Sequence, residues 1–151
     1  MRSRADESEQ GTVLLLILGL VVLAGLFVTV VIDVSALFLD RRAMIAAADG
    51  AALAGAQAVD ERTLYTNGLP DSGPLVLDES RAKAAVRSYL ENSGVFEDYA
   101  GLVVSIDTTS TTVTVHLAAR VRPPVVNAVT PGAGWGVTVE SNATARTAVI
   151  R

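Results

Sequence analysis

The longest hydrophobic run of the chain lies near its N-terminus. Residues 12–32 read TVLLLILGLVVLAGLFVTVVI and contain no charged side chain. At 1.5 Å per residue, a helix of this length spans about 31 Å, close to the thickness of the hydrocarbon core of a bilayer. No later segment of the sequence is comparably long and apolar. The pattern therefore predicts a single transmembrane helix over residues 12–32.

A cleaved signal peptide is the alternative interpretation of this run. Signal peptides have an apolar core of about 7–15 residues, preceded by basic residues and followed by a small-residue cleavage site. Here the core is longer, and the leader at residues 1–11 carries three acidic residues beside Arg2 and Arg4. Apolar sequence also continues beyond the small residues at 24–25. The length favours a retained anchor, while a secreted protein without its first 30 or so residues is the competing hypothesis.

The charges that flank the span are nearly balanced. Arg2 and Arg4 lie on one side, and Arg41 and Arg42 lie on the other. Long polar domains cross a membrane largely regardless of their charge. We therefore predict that the leader at residues 1–11 stays in the cytoplasm and that the longer C-terminal part is translocated.

The predicted helix continues beyond the apolar run to about Arg62. Residues 33–62 contain no proline and are rich in Ala, Leu, Met and Arg, which are strong helix formers. At helical spacing, one apolar stripe is formed by Val34, Leu37, Met44, Ile45, Ala48, Ala52, Gly55 and Val59. A continuous helix over residues 12–62 would be about 75 Å long.

Small residues recur along this predicted helix. Ala47, Ala51 and Gly55 stand four residues apart above the span, and further small residues inside the span are Gly19, Ala24 and Gly25. Small side chains let a second backbone approach closely. We predict that these six residues pack against other subunits. The alternative is that an alanine-rich helix produces such spacings by chance and packs only on its own domain.

Two consecutive arginines follow the apolar run. Arg41 lies about 13 Å beyond Ile32 along a helix axis. We expect Arg41 and Arg42 to contact lipid phosphates at the membrane interface, since long basic side chains reach the headgroups with their charged ends. An ion pair with a neighbouring subunit is the alternative.

The remaining residues, 63–151, alternate in a way that predicts an external α+β domain. Asp78 is a candidate N-cap for a helix over 79–92, and residues 102–108, 112–121 and 136–149 are predicted strands. In the second strand, one face is apolar and comprises Val113, Val115, Leu117, Ala119 and Val121. We therefore predict an α+β fold, in which a long N-terminal transmembrane helix precedes a small domain of one helix on an antiparallel three-stranded sheet.

Composition excludes several classes of function. The 12 basic and 16 acidic residues give a net charge of −4, which argues against nucleic-acid binding. The chain has no cysteine and one histidine, so thiol chemistry and cysteine- or histidine-based metal sites are excluded. His116 is isolated on a polar strand face. Trp135 is interpreted as a core residue, with an exposed contact residue as the alternative. No catalytic motif occurs, and we predict no enzyme activity, cofactor, metal or small-molecule substrate.

The N-terminal third resembles a known family. The residues that carry the likeness are Asp33, Leu37, Arg41, Arg42, Met44 and the tract AADGAALAGA at 47–56, preceded by EQGTV at 9–13. Over about residues 9–60 this pattern resembles the signature of TadE/TadG-like Flp pilus-assembly proteins. The resemblance implies a bitopic protein of the bacterial cytoplasmic membrane with a pilin-like layout. Its expected partners are lipid and, through the N-terminal helix, other subunits of a tight-adherence pilus or related secretion apparatus.

The pattern departs from that of processed pilins at one position. Such proteins usually carry a glycine at the cleavage point and a glutamate five residues later. Gly11 is a candidate processing site, but Leu16 stands at the glutamate position. The chain is thus more similar to the unprocessed, TadG-like branch. A membrane-tethered extracytoplasmic binding module, using Trp135 or the threonine-rich strand face, remains the alternative function.

Overall fold

The computed structural model describes residues 3–59, 73–130, 132, 134–147 and 149–150. It consists of two units, one formed by residues 1–36 with 123–135 and the other by residues 37–122 with 136–151. The fold class predicted from the sequence is confirmed: a long apolar helix precedes a domain that contains a helix and a three-stranded antiparallel sheet.

Helix α1 spans Ser3–Ala56 and includes the whole apolar run. It ends six residues before the boundary near Arg62 that the sequence suggested, and residues 60–62 lie outside the described part of the chain. The backbone after α1 is extended, because Val59 forms an antiparallel bridge with Leu77. The N–H of Asp78 also donates to the carbonyl of Ala58 at 3.0 Å, so this stretch pairs with the start of the next helix instead of continuing α1.

Helix α2 spans Glu79–Asn92, as predicted, and a short helix α3 follows at Val95–Asp98. Asp78 is the N-cap of α2, since its carboxylate accepts the N–H groups of Ser80 and Arg81 at 3.0 and 3.1 Å. Hydrogen bonds from the Ser80 hydroxyl and from these N–H groups lower the pKa of Asp78. The buried face of α2 consists of Ala82, Val86 and Leu90.

Three antiparallel strands form the main sheet in the order β2–β3–β4. They span Val103–Thr108, Thr112–Val121 and Val137–Arg146. The predicted alternation of β3 is confirmed, since Val113, Val115, Leu117, Ala119 and Val121 are all buried. The polar residues between them, including His116, line the opposite face.

The last strand ends earlier than the sequence suggested. β4 stops at Arg146, and the N–H of Thr147 donates to the carbonyl of Thr111 at 3.0 Å. A separate two-stranded sheet pairs β1, Gly73–Pro74, with β5, Val149–Ile150. Between β3 and β4, the chain forms a short helix α4 at Pro124–Val129, which the sequence pattern does not predict.

The C-terminal part of α1 contributes to the core of the α+β unit. Its buried residues are Met44, Ala48, Ala51, Ala52 and Ala56. The hydroxyl of Ser141 on β4 donates to the carbonyl of Met44 at 3.2 Å. Tyr99 donates to the side chain and the carbonyl of Asp40, both at 3.3 Å, and burial together with the Asp40 carboxylate raises the pKa of Tyr99.

Candidate membrane anchor and assembly surface

The N-terminal part of α1 is apolar and exposed on every side. From Val13 to Ile32, the large apolar side chains are between 46% exposed, at Ile32, and 72% exposed, at Phe27. Within the described residues, α1 is the one helix long and apolar enough to cross a membrane. A helix that is hydrophobic all round, with no protein covering it, is typical of a membrane span. The chain is accordingly a membrane-anchored protein.

The exposed apolar surface of α1 extends beyond the predicted span. Val34, Phe38 and Leu39 are each about three-fifths exposed. Arg41 and Arg42 follow and are also exposed. Their predicted contact with lipid headgroups stays a prediction, but their place after the last exposed apolar residues is the one that such a contact requires.

Small residues inside the span have open space around them. Apart from the backbone of its own helix, a Cβ atom built on Gly19 or Gly25 would meet nothing within 4 Å, and Ala24 is exposed. The hydroxyl of Thr29 donates to the carbonyl of Gly25 at 3.0 Å, within the same helix. The surface at these three small residues is therefore free to accept a neighbouring helix.

Small residues above the span have partners within their own unit. Ala51 is fully buried, and Ala47 packs against the same core. A Cβ atom on Gly55 would lie 2.8 Å from Val86 Cγ2 and 3.0 Å from Val113 Cγ1. The role of these three residues in contacts between subunits stays a prediction, but the chain itself already covers Ala51 and Gly55.

Arg41 and residues of all three strands of the main sheet line an open cavity of about 530 Å³. Its other polar lining residues are Ser105, His116, Glu140, Ser141 and Asn142. His116 Nε2 lies 3.8 Å from Asp107 Oδ2, and both side chains are largely exposed. The described residues contain no group of three side chains able to hold a metal ion. The cavity is open, and polar and apolar side chains both line it.

Asp33 is the residue of this region whose role sequence reasoning missed. It directly follows the apolar run, is only 6% exposed, and accepts the N–H groups of Val125 and Val126 at 2.8 and 3.1 Å. These N–H groups begin α4, whose own N-cap is Pro123 and provides no side-chain acceptor. A carboxylate 92 residues away therefore caps this helix.

Two signals in the sequence were available for this contact. A charged residue at the edge of a membrane span is costly unless it has a partner. Pro124 is typical of the first turn of a helix, because it needs no hydrogen bond there. Neither signal shows that Asp33 and the helix that begins at Pro124 contact each other.

The described residues between 123 and 135 (123–130, 132, 134 and 135) are here called the α4 segment, and hydrogen bonds within it hold it together. Asn127 Nδ2 donates to the carbonyls of Pro123 and Trp135 at 2.8 and 3.2 Å. The hydroxyl of Thr130 donates to the carbonyl of Val126 at 2.6 Å. Trp135 is 63% exposed, so of the two interpretations from sequence, a core residue is wrong and an exposed residue is right.

Comparison with known proteins finds one family. Residues 11–58 match the model of the family described as "Putative Flp pilus-assembly TadE/G-like". The resemblance deduced from the residues is thereby confirmed over almost the range first assigned to it. The match includes the exposed span, Asp33, both arginines and the buried alanines of α1. No curated protein and no solved structure matches the chain.

Proposed function

We propose that this chain, whose residues 11–58 form a TadE/G-like segment, is a pilin-like structural or assembly component of a Flp pilus or a related secretion apparatus. The observation that supports this role most directly is the division of α1 into two parts. Up to Ile32 its apolar side chains are exposed on all sides, whereas beyond Leu37 one face of the helix is built into an α+β unit. The first part is available to lipid and to neighbouring helices while the second carries the domain.

Lateral association would occur through the exposed small residues of the span. In a bilayer, helices associate by close packing and not by the hydrophobic effect, because lipid is as apolar as leucine. Gly19, Ala24 and Gly25 are exposed and are not covered by another element of the chain, so they offer the closest approach of backbones. Other subunits of the pilus or secretion apparatus are the proposed partners.

Deleting the gene from its native host should abolish the fibres, and the complete chain should restore them. The double variant Gly19→Leu and Gly25→Leu should fail to restore fibres, because leucine side chains keep backbones apart. Leu26→Ile is the matched control, since it changes the shape but not the volume of an exposed span residue. Fibres counted by electron microscopy provide the measurement. A host without the gene that makes a normal number of fibres would contradict the proposal.

The same strains distinguish an anchored assembly protein from a processed fibre subunit and from a binding module. A full-length or Met-trimmed mass in the membrane fraction supports an anchored assembly role, whereas a chain starting at Thr12 indicates processing after Gly11 and incorporation into the fibre. A binding module would show the opposite pattern of sensitivity. It would tolerate changes at Gly19 and Gly25 but lose activity with changes around Trp135 or His116.

The proposed topology places the leader in the cytoplasm and the α+β unit outside the cytoplasmic membrane. Because the chain has no cysteine, Ser8→Cys and Ser110→Cys each create a unique labelling site. In spheroplasts, a membrane-impermeant maleimide should label the Ser110→Cys protein and not the Ser8→Cys protein. Detergent should then expose both sites to the reagent. If only the Ser8→Cys protein were labelled in intact spheroplasts, the topology would be the opposite of the one proposed.

A further inference from the structure

We propose that the α4 segment is a second membrane contact, which lies in the interfacial layer of the bilayer with Val129 and Trp135 against lipid. The helical span is the first contact. This inference requires only that the chain is membrane-anchored, and it does not depend on a role in pilus assembly.

The position of the α4 segment is fixed by Asp33. This residue is one helical step, about 1.5 Å, beyond Ile32, the last residue of the apolar run. Its carboxylate binds the first two N–H groups of α4 that are available, since Pro124 has none. The α4 segment and residues 1–36 of the chain form one unit. The start of α4 is therefore held at the level where the hydrophobic span ends.

The composition of the segment suits that level. Residues 123–139 contain no charged side chain. Val129 is 75% exposed and Trp135 is 63% exposed, although both are large and apolar. Tryptophan is enriched at the boundary between membrane and water, where its ring can be buried while its N–H remains hydrated. Because Val129 and Trp135 are already exposed, lipid can cover them without any rearrangement of the protein.

Backbone groups of the α4 segment are also hydrogen-bonded in the way that a region with little water requires. Unpaired N–H and C=O groups are expensive near hydrocarbon. Asp33 accepts two of the N–H groups that start α4, and the side chain of Asn127 donates to the carbonyls of Pro123 and Trp135. Asp33 benefits in turn, because the N-terminus of a helix stabilises a negative charge. The contact thus pairs the free N–H groups at the start of α4 with the carboxylate of Asp33, so neither is left unpaired near the hydrocarbon.

Lipid is a better occupant for this surface than a protein partner, because the surface is continuous with the span. The exposed apolar side chains of α1 run through Ile32 to Val34, on either side of Asp33. A bilayer that surrounds the span reaches the α4 segment without any additional interaction. Contact with a second copy of the chain is the competing arrangement, and the experiment below distinguishes the two.

Fluorescence of Trp135 tests the proposal, since it is the only tryptophan of the chain. The full-length protein is reconstituted in vesicles of zwitterionic and anionic phospholipid, with bromine placed either near the headgroup end or near the terminal methyl of the acyl chains. We expect blue-shifted emission, protection from aqueous iodide, and about twofold stronger quenching by the shallow bromine than by the deep one, as for an interfacial residue.

Two variants calibrate the depth. Trp135→Phe combined with Val22→Trp places the reporter in the middle of the span, where the deep bromine should quench most strongly. Trp135→Phe combined with Phe96→Trp places it on an exposed side chain of the α+β unit, which we expect iodide to reach. Emission of Trp135 like that of a tryptophan in water, with free access of iodide, would overturn the proposal. Blue-shifted emission that neither bromine quenches would also overturn it, since the ring would then be covered by protein.

Discussion

Replacing Gly55 with leucine should strongly destabilise the α+β unit without releasing the protein from the membrane. Even the first carbon of the new side chain would lie 2.8 Å from Val86 and 3.0 Å from Val113. Both neighbours are fully buried and β-branched, so they have little freedom to move aside. Overpacking of a core costs about 1–3 kcal/mol, and a leucine at a site too small for a methyl group belongs at the upper end or beyond. The exposed span that anchors the chain is unaffected.

Hydrogen exchange of the β3 amides measures this effect, because the strand lies at the centre of the sheet. A loss of about 3 kcal/mol should accelerate exchange roughly 100-fold, since each 1.4 kcal/mol is tenfold. Gly25→Leu is the matched control, because a Cβ at that position meets nothing within 4 Å apart from its own helix backbone. It should leave exchange of β3 unchanged. Gly55→Ala should fall between the two.

The result also decides what Gly55 contributes to assembly. From the sequence alone, Gly55→Leu is expected to block contact between subunits. If exchange of β3 accelerates and assembly fails together, the packing of the chain on itself explains both. If assembly fails while β3 exchanges normally, Gly55 faces another subunit, and the geometry described for the α+β unit is wrong at this position.

Periodicity accounts for the parts of the fold that the sequence predicted well. The strict alternation of β3, with Val115 and Leu117 inward and His116 outward, has the two-residue period that a sheet with one covered face requires. The cap at Asp78 was equally predictable, because an aspartate before an amphipathic helix satisfies free N–H groups of its first turn. Each of these signals is local, so the order of residues along the chain is enough to detect it.

The features that escaped prediction depend on contacts between distant residues. α1 could have continued beyond Ala56 by helix propensity alone, but pairing of Val59 with Leu77 ends it. The apolar stripe predicted for α1 is wrong at Val34 and Ile45, which are exposed, and it omits Ala51 and Ala56, which are buried. Which side of a helix is covered depends on what packs there. An alanine-rich sequence with small differences between its faces does not reveal it.

The α4 segment illustrates the same limit and leads to the second large effect. Asp33→Ala should detach α4 from the end of the span. The substitution leaves the N–H groups of Val125 and Val126 without their acceptor, and hydrogen bonds to a charged group contribute about 1.5–3 kcal/mol each. Alanine is a better helix former than aspartate, so any loss cannot come from α1 itself. Amides of the α4 segment should therefore exchange at least about tenfold faster.

Asp33→Asn separates the two contributions of this carboxylate. Asparagine keeps one acceptor oxygen but loses the charge that the N-terminus of α4 stabilises. Its exchange rate in the α4 segment should lie between those of the native protein and Asp33→Ala, while the amides of β3 should be unaffected by either change. In brominated vesicles, Trp135 of the Asp33→Ala protein should also become more accessible to iodide. Exchange that is equally slow in all three proteins would show that the contact of Asp33 with α4 does not hold the segment in place.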